Sequence, residues 1–170
     1  MAAAPVCWHV EFYFYAFSFV SGYYSVLQSN SGFGNYWGLF LLLHLVFASL
    51  SNLVAIGVPG KLKDLVMLGI TVVLWLFGGV QPPYSILQNK IPVLGPAINA
   101  ISPFRWSFPV QIVMELNTYS GIYAETVDGV YAEYGYKADG VLFNSLMLAV
   151  YAVVVNFLAY LLLVTKRDNF

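Results

Sequence analysis

Arg105 and Glu115 stand out chemically in this sequence. They lie in the stretch 91–116, which is otherwise largely apolar and is broken by Pro92, Pro96, Pro103 and Pro109. A charge in apolar surroundings is costly unless it is paired or reaches water, so the two residues mark a requirement of function or of structure. The functional role is a gate or hinge that supports a short helix entering the membrane. The structural role is Arg105 capping backbone carbonyls, or either residue binding lipid phosphate or water. Both readings stay open on the residues alone.

The usual machinery of catalysis is missing. Gly60-Lys61 lacks both the upstream glycine and the following Ser or Thr of a phosphate-binding loop, and neither H-E-x-x-H nor G-x-S-x-G occurs. His9 and His44 are far apart and have no acidic companions, and Cys7 is the only cysteine, so neither a metal site nor an intrachain disulfide is expected. His44 falls within an apolar run, where it bonds a neighbouring helix or relays protons. No acid–base pair lies inside the apolar segments. The chain is therefore not expected to be an enzyme by itself. A net charge of −1 leaves no electrostatic footprint for a nucleic-acid partner.

These residues must be held by a membrane-embedded scaffold. Hydrophobic residues make up 60% of the chain and charged ones 9%, against roughly 45–50% and about 25% in soluble domains. Lipid must be the solvent for part of the surface. Uncharged stretches near the length that crosses about 30 Å of hydrocarbon predict an all-α integral membrane protein with four spans, at about 10–28, 36–58, 62–80 and 141–164. The first span is the weakest of the four and reads alternatively as an interfacial helix. Its Phe12-Tyr13-Phe14-Tyr15 run suits an aromatic belt. Ser29-Asn30-Ser31-Gly32 is a polar turn, and Gln81-Pro82-Pro83 stops the third span because proline lacks an amide proton. Residues 81–140 form one large loop. Within it, about 91–117 is read as a broken, re-entrant segment, since non-helical backbone at membrane depth must be buried in protein. Residues 117–140 form a Tyr-rich acidic cap carrying Glu125, Asp128, Glu133 and Asp139.

With four spans, Lys61 and Lys63 share a side with Lys166 and Arg167, and the positive-inside rule makes that side cytoplasmic. Both termini are then cytoplasmic, and the 81–140 loop is extracellular or lumenal.

Phe77-Gly78-Gly79 with Pro82-Pro83, then Ile101-Ser102-Pro103-Phe104-Arg105-Trp106 and Glu115, together resemble the transmembrane domain of G-subfamily (White-type) ABC transporters. Tyr119, Gly135-Tyr136 and the closing Ala159-Tyr160 with its basic tail extend the resemblance over roughly residues 10–167. It implies that the spans are the third to sixth helices of a six-helix unit, and that the chain is the C-terminal part of an exporter's transmembrane domain. The absent partners would be the remaining transmembrane helices and a nucleotide-binding domain, which would supply ATP and Mg chemistry that this chain lacks. The working state would be a homo- or heterodimer in membrane lipid, moving a lipid-like or hydrophobic substrate outward. Asn156 departs from the family pattern, which often has Arg there. The resemblance places Val72, Trp75, Val80 and Gln81 near the substrate path, with Trp75 stacking a flat cargo or else facing lipid. It makes Ser102, Pro103, Arg105, Trp106 and Glu115 the re-entrant, gating element. Gly78-Gly79 permits close helix approach at a dimer axis, or simply loosens the helix end. The alternative class is a non-transporting four-helix membrane scaffold or assembly subunit. A small lipid-directed enzyme comes third.

Overall fold

The computed structural model describes residues 4–27, 29–78, 90 and 92–167. Among these the chain is all-helical: α1 (Ala4–Leu27), α2 (Phe33–Gly57), α3 (Lys63–Leu76), α4 (Leu94–Ile101), α5 (Phe104–Leu116), α6 (Ala124–Tyr134) and α7 (Val141–Arg167). Two helices, Phe33–Gly57 and Val141–Lys166, are long and apolar enough to cross a membrane. Their most apolar windows are only 28% and 22% buried by protein. A helix at the core of a soluble protein would be mostly covered. The 14 residues of α3 reach about 21 Å at 1.5 Å per residue, less than the hydrocarbon thickness of about 30 Å. Of the expected 62–80 span the helix covers 63–76, the chain turns out of it at Phe77 and Gly78, and residues 79–80 lie outside the described ones.

The bundle is built around α2, which packs most extensively on α7, with α1 on one flank and α5 across α2 and α7. Leu39, Val46 and Leu50 of α2 recur at helical spacing and meet Leu148, Ala152 and Val155 of α7, Val110 of α5 and Leu74 of α3 in one core cluster. Ala152 and Ala159, both buried, keep the α7 face shallow where α2 lies, as small residues do where helices approach closely without a hydrophobic driving force. The remaining faces of α7 leave Leu146, Val150, Val153, Phe157 and Leu161 exposed.

Two polar contacts tie the long helices together. Asn156 Nδ2 donates to Ser49 Oγ at 2.6 Å and also to its own-helix Ala152 carbonyl at 3.1 Å, while Ser49 donates to Leu45 O at 2.7 Å. Asn156 thus serves as an interhelical link. Lys166 Nζ donates to the Ile56 carbonyl near the C-terminus of α2, the end of the macrodipole that favours a cation. Ser49→Ala removes the acceptor of the interhelical bond. It is expected to lower stability by about 1 kcal/mol, the range of such bonds in membrane bundles. Unfolding in detergent by graded SDS checks this, and an unchanged midpoint would dismiss the link.

Between α3 and α7 the chain passes from α4 through Ser102-Pro103 into α5. The far end of α5 is tied to the segment before α7: Tyr131 donates to Asn117 Oδ1 at 2.7 Å, and Asn117 Nδ2 to Ala138 O at 3.4 Å.

Candidate functional site

Helix α5 is fastened at both ends by polar side chains, and each fastening satisfies groups that the helices leave open. At its near end it caps α3. The last carbonyls of a helix have no intrahelical donor, and here the chain turns tightly, with Gly78 N donating to Trp75 O at 3.0 Å. The Leu74 carbonyl is taken by the Ser102 hydroxyl at 2.6 Å, and the Phe77 carbonyl by Asn99 Nδ2 at 2.7 Å. Asn99 and Ser102 are both fully buried, so neither carbonyl has water as an alternative. Ser102 Oγ also accepts from the Phe104 amide at 3.2 Å, at the start of α5. Arg105 Nη1 donates to Asn99 Oδ1 at 2.9 Å, which fixes the amide so that its NH2 faces Phe77. The guanidinium carbon lies 5.1 Å from the Trp106 ring centre, within cation–π range.

Gly78 is what allows this close seat. A Cβ there would stand 2.6 Å from Phe104 Cβ and 3.1 Å from Phe108 Cε2. Phe104 in turn stacks on Phe108, with centroids 5.3 Å apart, and tilts onto Phe47 of α2 at 5.4 Å. The end of α3, the start of α5 and the middle of α2 therefore meet in one aromatic contact. Pro109, inside α5 and buried, withdraws the amide that the Arg105 carbonyl would otherwise receive from the next turn.

The far end of α5 is held by Glu115. Its carboxylate accepts from the Ser29 hydroxyl, from the Asn30 backbone amide at 3.2 Å, from Tyr36 OH at 3.0 Å and, at the limit of bonding, from Tyr119 OH at 3.5 Å. Asn30 Nδ2 donates to Tyr119 OH at 2.7 Å, and Gln111 Nε2 donates to Tyr23 OH. Burial works to raise the Glu115 carboxyl. Hydrogen bonds from the Ser29 hydroxyl, the Asn30 amide, the Tyr36 phenol and the Ser31 amide outweigh it together, and the group sits below its ordinary value. Its charge is balanced by convergent donors of the α1–α2 turn, an arrangement that stabilises a carboxylate without a cation.

Two clefts open beside α5 on its α1–α2 side. One, of about 420 Å³, runs past Tyr23, Tyr36, Phe108, Gln111 and Glu115. The other, of about 470 Å³, is lined by Tyr15, Phe19, Phe40, His44, Phe47 and Phe104. Each falls in the range of small-molecule pockets, roughly 300–1,000 Å³. Aromatic walls with a polar group at one end suit an amphipathic molecule.

Ser102, Pro103, Arg105 and Trp106 therefore gather at the near clamp, and Glu115 forms a separate one at the other end of α5. Val72 and Trp75 of α3 are both about half exposed and lie outside either cleft. Val80 and Gln81 lie outside the described residues. Sequence reasoning missed Asn99, Ser29, Tyr36, Tyr23 and Gln111. Their only signal was polarity within or beside apolar runs. Among the described residues no group of three or more His, Cys, Asp or Glu side chains is placed to hold a metal ion. No family model matches the sequence, and no curated protein or solved structure matches it either.

Proposed function

We propose that the chain is the C-terminal part of the transmembrane domain of an ABC-type exporter, forming part of the path of a lipid-like or hydrophobic substrate, with ATP hydrolysed by a separate nucleotide-binding domain. The observation that carries this reading is α5 with the turn before it, clamped to the end of α3 at Ser102 and to the α1–α2 turn at Glu115. Such an element couples the positions of α3, α1 and α2. Moving one helix must strain or release a clamp, which is what rigid-body rocking about a midplane site requires. The charge distribution supports the proposed orientation. Lys166 reaches the end of α2 beside the turn with Lys61 and Lys63, while the acidic residues of α6 precede the opposite end of α7. Over 27 residues the two ends are separated by about 40 Å, a full bilayer. Four spans, cytoplasmic termini and an external loop follow from this reading.

In a dimeric exporter, the exposed face of α3, with Val72 and Trp75, would line the path between two copies. In a Cys7→Ser background, Val72→Cys and Trp75→Cys are expected to give dimer-sized products on mild oxidation in membranes. Phe157→Cys, exposed on the apolar face of α7, is expected to give none. Absence of product at both α3 positions would overturn the two-copy path, and ATP hydrolysis by the purified chain alone would overturn the division of labour.

A further inference from the structure

The two aromatic clefts beside α5 adjoin, and together they form one groove whose ends differ in chemistry. On each of three helices the lining passes in order from one cleft to the other: Phe19 leads to Tyr23 on α1, Phe40 to Tyr36 on α2 and Phe104 to Phe108 on α5. The walls touch at the junction. Tyr23 and Phe40 have ring centroids 5.6 Å apart, and Phe104 and Phe108 5.3 Å. Between Tyr36 at one end and Phe47 at the other, α2 rises about 16 Å, room for a medium-length alkyl tail. The Glu115 end opens beside the α1–α2 turn, whereas the other end lies against the middle of α2 and is walled mainly by aromatic rings.

The Glu115 end carries a negative charge that no cation meets among the described residues. Glu115 is ionised at neutral pH, because the donors around it hold its carboxyl below its ordinary value. Those donors are neutral hydroxyl, phenol and amide groups, and no Lys or Arg stands among the described residues of the lining. Neutral donors stabilise the charge without cancelling it. They also occupy its lone pairs. A carboxylate offers about four acceptor sites, and Ser29, Asn30 and Tyr36, with Tyr119 at the limit of bonding, engage them. An ammonium that must donate hydrogen bonds would therefore displace part of the fastening. A cation without N–H groups needs no lone pair and is drawn by charge alone. Tyr23 and Phe108, both partly exposed, line the same end as Glu115, and aromatic walls are the surface that holds quaternary ammonium groups.

We propose that this groove binds an amphipathic quaternary ammonium, a free monocation with its head among Glu115, Tyr23 and Phe108 and its alkyl tail along Phe19, Phe40 and Phe104. A phosphocholine headgroup would bring a second negative charge to Glu115, so charge complementarity selects the free cation. The binding belongs to this chain alone and stands whether or not the chain transports anything.

The test is equilibrium dialysis of the full chain in dodecyl maltoside against radiolabelled decyltrimethylammonium, with protein-free micelles as the blank. Saturable binding above the blank is expected. Decylamine should compete about fivefold less well, and neutral decanol about tenfold less well or worse. Two substitutions change the charge independently. Glu115→Gln removes it, and Ile112→Lys adds an ammonium to the lining while leaving every bond of the Glu115 fastening in place. Each should weaken binding by about tenfold or more. Ile112→Gln, the neutral control, should bind close to wild type, with SDS unfolding showing that both Ile112 variants are folded. No saturable binding, equal competition by decanol, or wild-type affinity in Ile112→Lys would overturn the proposal. Displacement by diheptanoyl phosphatidylcholine as effective as by decyltrimethylammonium would overturn the choice of a free cation and give the groove to a phospholipid headgroup.

Discussion

Replacing Glu115 by Ala is expected to release the C-terminal end of α5 from the α1–α2 turn and to lower stability by about 3 kcal/mol. The magnitude follows from what is left behind. The Ser29 hydroxyl and the Asn30 amide lose their carboxylate acceptor, as does Tyr36, which is only 2% exposed. Losing hydrogen bonds to a charged group costs about 1.5–3 kcal/mol, and a buried donor without an acceptor adds its own penalty. Glu115→Gln keeps one carbonyl oxygen in place and should lose about 1 kcal/mol. SDS unfolding of the purified chain reads both. An effect of Glu115→Ala no larger than that of Glu115→Gln would show that the carboxylate is not the fastening. Acid provides a second reading. Because the folded state holds the carboxyl below its ordinary 4.5, its contribution is complete above that value and is lost as the pH falls through the lower, folded-state value. Wild-type stability should therefore decline below pH 4.5, and that part of the decline should be missing in Glu115→Gln. In a transporting assembly, loss of efflux with normal surface expression would place Glu115 in the gating element. Normal efflux would remove it.

Gly78→Ala should be nearly as damaging, for a steric reason. The added methyl would stand 2.6 Å from Phe104 Cβ, an atom anchored to the backbone that no rotamer change can move. The end of α3 and the start of α5 must then separate. That weakens the Ser102–Leu74 and Asn99–Phe77 bonds and the Phe47–Phe104 contact together. Overpacking of this kind costs about 1–3 kcal/mol, and Gly78→Val should cost more. Gly78 has no positive φ, so backbone strain does not contribute. Pairing Gly78→Ala with Phe104→Ala makes room for the methyl and is expected to recover part of the loss relative to the sum of the two single changes. Strict additivity in that cycle would show that the two sites do not touch.

The two long apolar helices were readable from the chain because their signal is local. Twenty or more consecutive uncharged residues need no partner to be recognised, and Tyr36–Val58 and Val141–Val164 fall within a few residues of α2 and α7. The Ser102-Pro103 turn was readable for the same reason, since proline disfavours helix at the residue before it, whereas Pro96 and Pro109, expected to break the segment too, stand inside α4 and α5. Val72 and Trp75 were selected by resemblance, and the fold leaves both about half exposed on α3. The Glu115 fastening was legible only by half. The sequence shows a carboxylate in apolar surroundings that must be satisfied, but no pattern connects it to Ser29 and Asn30, more than eighty residues away.

By itself, then, the sequence determined that the chain is far more apolar than an ordinary soluble domain, that a proline-rich segment separates its long apolar runs, and that Arg105 and Glu115 are the charges that segment must satisfy. Each of these follows from composition or from neighbours along the chain. Only the tertiary structure decided how that satisfaction is achieved. Arg105 orients Asn99 on the open carbonyls of α3, Glu115 gathers the donors of the α1–α2 turn, and Gly78 is the point where α3 and α5 touch. Hydrogen bonds and close contacts between distant segments depend on helix packing to a fraction of an ångström, and the order of residues along one segment does not carry that information.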